Sequence, residues 1–264
     1  MKDFQELVWQ KGRELYRPMP WREDTRGYYV LVSELMLQQT QVERVIPKFQ
    51  AFTTRFPDEK SLAEASLGEV LQLWSGLGYN RRAKFLHEAA KIIVHERGYS
   101  FPSTLEELQR LPGVGVNTAG AIMAYTFNEP VVFIETNVRT VYFEHFYHTG
   151  EVVADKELLT LVKETIDTSH PREFYWALMD YGTWLKKNGA GRLQQSKHYK
   201  KQSPLKGSVR EVRGQLIRLL TEKDWPLFDL TMNFQGDDRF DVALEGLIKD
   251  GLIQQSNGKL HLTK

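Results

Sequence analysis

The sequence predicts an all-α protein that closes in a small α+β module, and three observations carry this. Through residues 3–185, apolar residues recur at spacings of three and four, and strand-like alternation is scarce. Over the last sixty residues, two amphipathic segments precede short runs around Asn257-Gly258, the strongest short hairpin signal. Between these regions, Lys186–Arg213 holds nine Lys/Arg and one acid in a Gly-, Gln- and Ser-rich stretch that reads as an irregular connector.

Taken in order, the first region should supply eight to ten helices. "SLAEASLGEVLQLWSGLG", "AKFLHEAAKIIVHERG" and "STLEELQRLPG" show the helical period. Ser61 and Ser103 read as N-caps, each followed three residues later by Glu. Gly98 and the pair Gly76/Gly78 sit where helices should stop. Further on, "SVREVRGQLIRLLTEK" and "DDRFDVALEGLIKDG" read as helices, and the terminal hairpin completes a winged-helix-like module. The domain reading is 1–202 and 207–264, with a basic linker at 186–206 and the boundary near Ser203–Gly207.

The 264 residues are 41% hydrophobic and 12% aromatic, enough for a sizeable core. The absence of cysteine excludes disulfides, thiolate metal sites and thiol chemistry. No apolar stretch reaches the roughly 20 residues that span a bilayer, and "MKDFQELVWQ" lacks a signal-peptide core. A soluble, cytoplasmic protein is expected, nucleoid-associated if prokaryotic. The net charge of +1 names no partner, but its distribution is informative. The basic connector reads either as a solvated linker or as a phosphate contact, with Lys197, Lys200 and Lys201 as the contacting residues.

Two motifs point to chemistry. In "LPGVGVNTAGAI" a helix runs into Pro112-Gly113-Val114-Gly115, and a second helix starts at about Val116. Two glycines permit positive φ and close backbone approach. The N–H groups opening the second helix then form an anion nest, supported by the helix dipole. In "YYVLVSELMLQQTQVERVI", Glu34 stands in an apolar run and shares a helical face with Val30, Leu31, Leu37 and Gln38. Burial there disfavours the ionised form, as a general acid near neutral pH requires.

"RPMPWR" (Arg17–Arg22), "SELMLQQTQV" (Ser33–Val42), "WSGLGYNRRAKFL" (Trp74–Leu86), "LPGVGVNTAGAI" and "IETNVR" (Ile134–Arg139) occur in order. Over residues 5–185 the chain resembles the helix-hairpin-helix (HhH-GPD) DNA glycosylases, most of all the MutY adenine glycosylase branch. The resemblance implies a two-lobed helical fold with DNA bound between the lobes, and a target nucleotide flipped out of the duplex. It implies that Glu34 protonates the departing base, that Gln39 and Tyr79 wedge into the base stack with Gln38 beside them, and that Gly113, Gly115 and Val116 grip a DNA backbone. It places Arg17 and Arg22 in the base pocket.

The sequence also departs from that pattern. Glu135 stands where the family has an aspartate that stabilises the cationic sugar, so its reach changes by more than ~1 Å, a scale to which catalysis is sensitive. Asn117 occupies the position of the Schiff-base lysine of bifunctional relatives, so a lyase step there is not expected. Tyr175 and Trp176 replace polar residues, one of which reads adenine in the MutY branch. Trp176 therefore either stacks on a base or packs in the core. The four cysteines of the family's iron–sulfur cluster are missing, so no metal cofactor is expected, and a structural cation at the hairpin stays open. The winged-helix-like module stands where that branch carries its check for oxidised guanine. With five acids against two bases, Asp237–Asp250 suits packing or a protein partner better than a DNA groove. Arg210, Arg213, Arg218 and Lys223 on the preceding helix suit the DNA backbone better.

The expectation is a monomeric, monofunctional glycosylase acting on double-stranded DNA, with a mispaired or damaged base as target and adenine as the default. The alternatives are a glycosylase for a mismatched pyrimidine or an altered purine, and a non-catalytic DNA-damage-binding or regulatory protein.

Overall fold

The computed structural model describes residues 1–147, 150–197 and 203–263. Helices dominate: α1 (Lys2–Glu14), α2 (Pro20–Glu23), α3 (Gly27–Leu37), α4 (Val42–Arg55), α5 (Glu59–Ala63), α6 (Leu67–Trp74) and α7 (Arg81–Lys91), which continues into a π-turn at Ile92–Glu96. Then come α8 (Leu105–Gln109), α9 (Val116–Phe127), α10 (Thr136–Phe146), α11 (Asp155–Thr165) and α12 (Pro171–Lys187). The terminal module is α13 (Val209–Glu222), β1 (Trp225–Pro226), α14 (Leu227–Asn233), α15 (Phe240–Lys249), β2 (Ile253–Ser256) and β3 (Lys259–Leu262).

Twelve α-helices lie among the described residues of 1–187, more than the eight to ten expected. The surplus comes from one-turn helices such as α2 and α5, too short to display a period. Two cap assignments also move. α5 begins at Asp58, whose carboxylate accepts from Ser61 N–H at 2.8 Å, so Ser61 is the third helical residue and not the cap. α8 is capped by Thr104, with Ser103 one residue outside and its N–H donated to Glu107. In both cases a preceding proline, Pro57 or Pro102, restricts the residue before it and fixes where the extended approach ends. The stops hold as expected: Gly76, Gly78 and Gly98 all have positive φ.

The chain divides into two compact units. The first is Met1–Val30, Ser103–Arg110 and Val114–Lys201; the second is Leu31–Pro102, Leu111–Gly113 and Gln202–Lys264.

In the first unit α12 packs against both α1 and α10. Small residues allow this. A Cβ on Gly12 would lie 2.5 Å from Ala177 Cβ, and one on Gly182 would lie 2.5 Å from Asn137 O. Tyr175 is part of this core. Its ring stacks on Phe133 at 4.0 Å, and its hydroxyl accepts from Phe133 N–H and donates to Val131 O.

In the second unit Phe49, Phe52, Phe56 and Trp74 are fully buried among α4 to α7. The terminal module packs on this framework, α13 against α6. Its sheet is antiparallel in the order β1-β3-β2, with Trp225 opposite Leu260 and Gln255 opposite the same residue from the other side. Helix, strand, two helices and a hairpin make the winged-helix order expected, with β1 and α14 added to it.

His87 on α7 sits in the core of the second unit, its Nε2 3.0 Å from Ala65 O. Burial, with Lys91 as the second cause, lowers its pKa to about 4. The folded value thus lies below the unfolded one, so the stability is complete above about pH 6.5 and is lost as pH falls towards 4. Urea unfolding should show a loss of roughly 2 kcal/mol between pH 7 and pH 5. His87→Gln should flatten that slope; an unchanged slope would reassign it to other groups.

Candidate nucleic-acid and catalytic site

The part of α3 in the second unit explains the carboxylate. Leu31 to Met36 are all buried, so this stretch is enclosed around its circumference and leaves Glu34 nowhere to emerge. Glu34 is 9% exposed. Two residues after α3 ends, Gln39 is exposed with φ 55°, and Tyr79, in the turn before α7, has φ 46°. Both residues expected to wedge into DNA therefore occupy the left-handed region, which side chains other than glycine enter only when the surroundings hold them.

Arg82 does the holding. It is 6% exposed, and one guanidinium nitrogen donates to Leu35 O, Met36 O and Gln38 O at 2.7–2.8 Å. The other reaches Thr40 Oγ1, Leu77 O and Gly78 O at 3.0–3.4 Å. One side chain caps the carbonyl end of α3 and braces the Tyr79 turn. Gln38, expected at the DNA, donates its amide to Gly113 O at 3.2 Å and so fixes the start of the hairpin turn. Sequence reading did not single out Arg82. The string "YNRRAK" shows two adjacent arginines and no local sign of which one turns inward.

Within the first unit, Arg17, Arg22 and Trp176 do converge. The residue that gathers them is Asp180, which sequence reading also missed. Arg22 and Asp180 are 3% and 1% exposed in their side chains and meet at 2.7 Å. Arg17 Nε reaches the same carboxylate at 2.7 Å. The Arg22 guanidinium lies 5.3 Å from the centre of the half-buried Trp176 ring. The only signal in the sequence was an acid one helical turn after Trp176, directly following the apolar stretch Phe174–Met179.

Glu135 is the N-cap residue of α10 by backbone position, yet its carboxylate makes no side-chain cap bond among the described residues. The Lys186 ammonium is disfavoured first by desolvation and then by Arg17, and Glu135 opposes this, so these ionic groups share one locality. Asn117 is exposed, and its Oδ1 accepts from Ile134 N–H at 3.3 Å. It braces the segment that carries Glu135.

At the hairpin, Gly113 has φ 79°, but Gly115 does not share that conformation: its φ of −86° and ψ of 179° are ordinary extended backbone. Gly115 is the N-cap of α9 and has no side chain with which to cap it. Val116 follows with 67% exposure. A Cβ on Gly113 would meet Phe85 and Leu35 at 3.0–3.1 Å, whereas one on Gly115 would meet nothing within 4 Å among the described residues. Gly115 is thus required neither by conformation nor by packing, which leaves close approach of a ligand to the backbone. Gly115→Ala should leave stability within ~0.5 kcal/mol of wild type and weaken duplex binding about tenfold. Gly113→Ala should instead cost ~1–2 kcal/mol in urea unfolding. Equal duplex affinity for Gly115→Ala and wild type would remove the backbone grip.

The basic stretch is less irregular than expected. Leu193–Gln195 form a 3₁₀ turn, and Ser196 bridges to Val153. Lys197 is exposed there. Lys200 and Lys201 lie outside the described residues. Without a thiolate the stretch does not fit an iron–sulfur cluster. Among the described residues no group of three or more His, Asp or Glu could hold a metal ion, and no helix is long and apolar enough to cross a membrane. On α13, Arg210 and Arg213 are engaged within the second unit, to Tyr79 and Asp250, so the helix expected to face DNA spends two of its cations internally.

The fold is that of the DNA glycosylases built on a helical hairpin. A thermostable thymine-DNA glycosylase superposes with a TM-score of 0.65 at 23% identity, covering 70% of this chain and 87% of that one. An endonuclease III–DNA complex gives 0.61 at 16%, covering 72% and 89%. The chain belongs to the HhH-GPD superfamily of base excision DNA repair proteins, whose family model matches residues 32–165. Among curated relatives, the adenine DNA glycosylase of Mycolicibacterium smegmatis is 32% identical over 91% of this chain and 89% of its own length. That of Buchnera aphidicola subsp. Baizongia pistaciae is 35% identical over 64% of this chain and 48% of its own, and that of Homo sapiens 39% over 63% and 33%. The chain thus spans about half the length, or less, of some of these relatives.

Proposed function

We propose that this chain is a monofunctional DNA glycosylase that removes a mispaired or damaged base from duplex DNA, with adenine as its default target. The observation that carries the reading is Glu34, a 9%-exposed carboxylate on α3, directly ahead of a turn that presents Gln39. The names of the relatives supply adenine.

In this reading the hairpin amides and exposed basic residues hold the backbone, and Gln39 and Tyr79 enter the gap left by the extruded nucleotide. Glu34 donates its proton to the departing base as the bond between base and sugar breaks. Glu135 stabilises the resulting cationic sugar, and water adds to it, giving a free base and an abasic site. With asparagine at 117, no amine at that position forms a Schiff base. Because Arg17 and Arg22 are both committed to Asp180, Trp176 offers stacking, which favours including altered purines among the candidate targets.

The test incubates the protein with duplexes carrying single mispairs or altered bases, then cleaves abasic sites with alkali. Breaks at one base identity establish the activity. Tight binding with no break on any duplex would overturn it in favour of a non-catalytic damage binder.

A further inference from the structure

Tyr79 is held from two sides of the second unit. From α7, the Arg82 guanidinium lies 5.6 Å from the ring centre. From the terminal module, Arg210, near the start of α13, lies 5.0 Å from the ring centre and donates to the Tyr79 hydroxyl. Its other arm is fixed by Ser203 O at 2.6 Å. The ring therefore has two guanidinium groups within 6 Å of its centre, at a backbone conformation that a tyrosine does not choose unaided.

The module is fastened to α7 beside this point by independent bonds. Asp250, at the end of α15, takes Arg213 at 2.5 Å and Arg81 at 3.6 Å on its carboxylate. Its carbonyl accepts from Lys84 at 2.9 Å. Arg81 and Lys84 flank Arg82 on the first turn of α7. These contacts hold α13 in register with the Tyr79 turn, so the guanidinium of Arg210 is presented and not left to sample solvent. Of the acids in Asp237–Asp250, Asp237 pairs with Arg239, which also pairs with Glu211 of α13, while Asp238, Asp241 and Glu245 are exposed.

We propose that the terminal module acts on DNA through Tyr79, with Arg210 as a positioning residue that holds the ring in the pose from which it enters the base stack. The proposal rests on the glycosylase reading above. Arg210 supplies two constraints at once, a flat cation against the ring face and a donor to its hydroxyl, and a lysine cannot supply both. The module need not read a groove to be required for excision.

The 264-residue chain tests this with Arg210→Met, Arg210→Lys, Tyr79→Ala and the Arg210→Met/Tyr79→Ala pair. Base extrusion is followed by the fluorescence of 2-aminopurine beside the target, and excision under single turnover. Arg210→Met should slow both steps roughly ten- to a hundredfold, as misplacement by about an ångström does, with duplex affinity and thermal midpoint little changed. Arg210→Lys should recover only part of the loss. In the Tyr79→Ala background Arg210→Met should cost nothing further, the signature of one shared unit. Normal extrusion by Arg210→Met, or losses that add fully to those of Tyr79→Ala, overturns the proposal alone. Faster extrusion also overturns it, by making the contact a brake. A wild-type chain that extrudes and excises nothing on any duplex overturns the glycosylase reading, and the proposal with it.

Discussion

A Glu34→Gln chain is expected to bind its duplex substrate as wild type does and to lose single-turnover excision by roughly 10³-fold, the middle of the range for a lost general acid. Glutamine keeps the length and planar end of the side chain, so the packing of α3 between the fully buried Ser33 and Leu35 is preserved. What it lacks is the proton. A base leaving as an anion from a sugar that turns cationic must be neutralised, and an amide does not donate to it at useful rates. Stability should be close to wild type, because glutamine keeps the shape and polarity of the buried side chain. The checks are quenched single-turnover kinetics, fluorescence anisotropy for binding and a thermal melt. Excision at the wild-type rate would remove Glu34 from the chemistry. A collapsed melting temperature would give it a structural role instead.

The sequence made some parts of this site readable and hid others, and the difference follows the range of the interactions. Glu34 was legible because a run of apolar residues on both sides fixes burial without reference to anything distant. The hairpin was legible because its glycines are punctuation that acts locally, although Gly115 turned out to be extended and only Gly113 left-handed. Arg82 was not legible: its partners run from Leu35 to Thr40, more than forty positions earlier, and nothing in "RR" separates it from the exposed Arg81. Asp180 depends on Arg17 and Arg22, some 160 positions away, and Tyr79 on Arg210, separated by 131. A two-residue strand such as β1 has no period to detect, and it exists because Trp225 and Pro226 pair with the hairpin strand β3. Local patterning announced the buried carboxylate and the hairpin turn. The ionic groups of Arg82, Asp180 and Arg210 became visible only in three dimensions.

Replacing Arg82 should therefore cost more than any other single surface-to-core contact in the second unit. Arg82→Met is expected to lower unfolding stability by ~3 kcal/mol or more, because it takes a charged donor from the carbonyl groups of Leu35 and Met36 and leaves those of Gln38 and Gly78 to Thr40 Oγ1 and Trp74 Nε1. For a chain of this size that is a drop of roughly 6–12 °C in melting temperature. Burial, as the main cause, pulls the Arg82 pKa down to about 10, which still leaves the group charged at neutral pH. Arg82→Lys should recover less than half of the loss, since a compact ammonium with three donors cannot span two turns that a planar fork with five joins. The stronger consequence is local. Arg82 pins the neighbours of both Gln39 and Tyr79, which hold left-handed backbone, so both turns should relax together. Hydrogen exchange should quicken at residues 38–40 and 77–79 in the same variant, and base extrusion should fail even under conditions where the chain remains folded. If only one of the two segments loosens, Arg82 is a cap for a single turn, and the coupling of the two wedges through it is wrong.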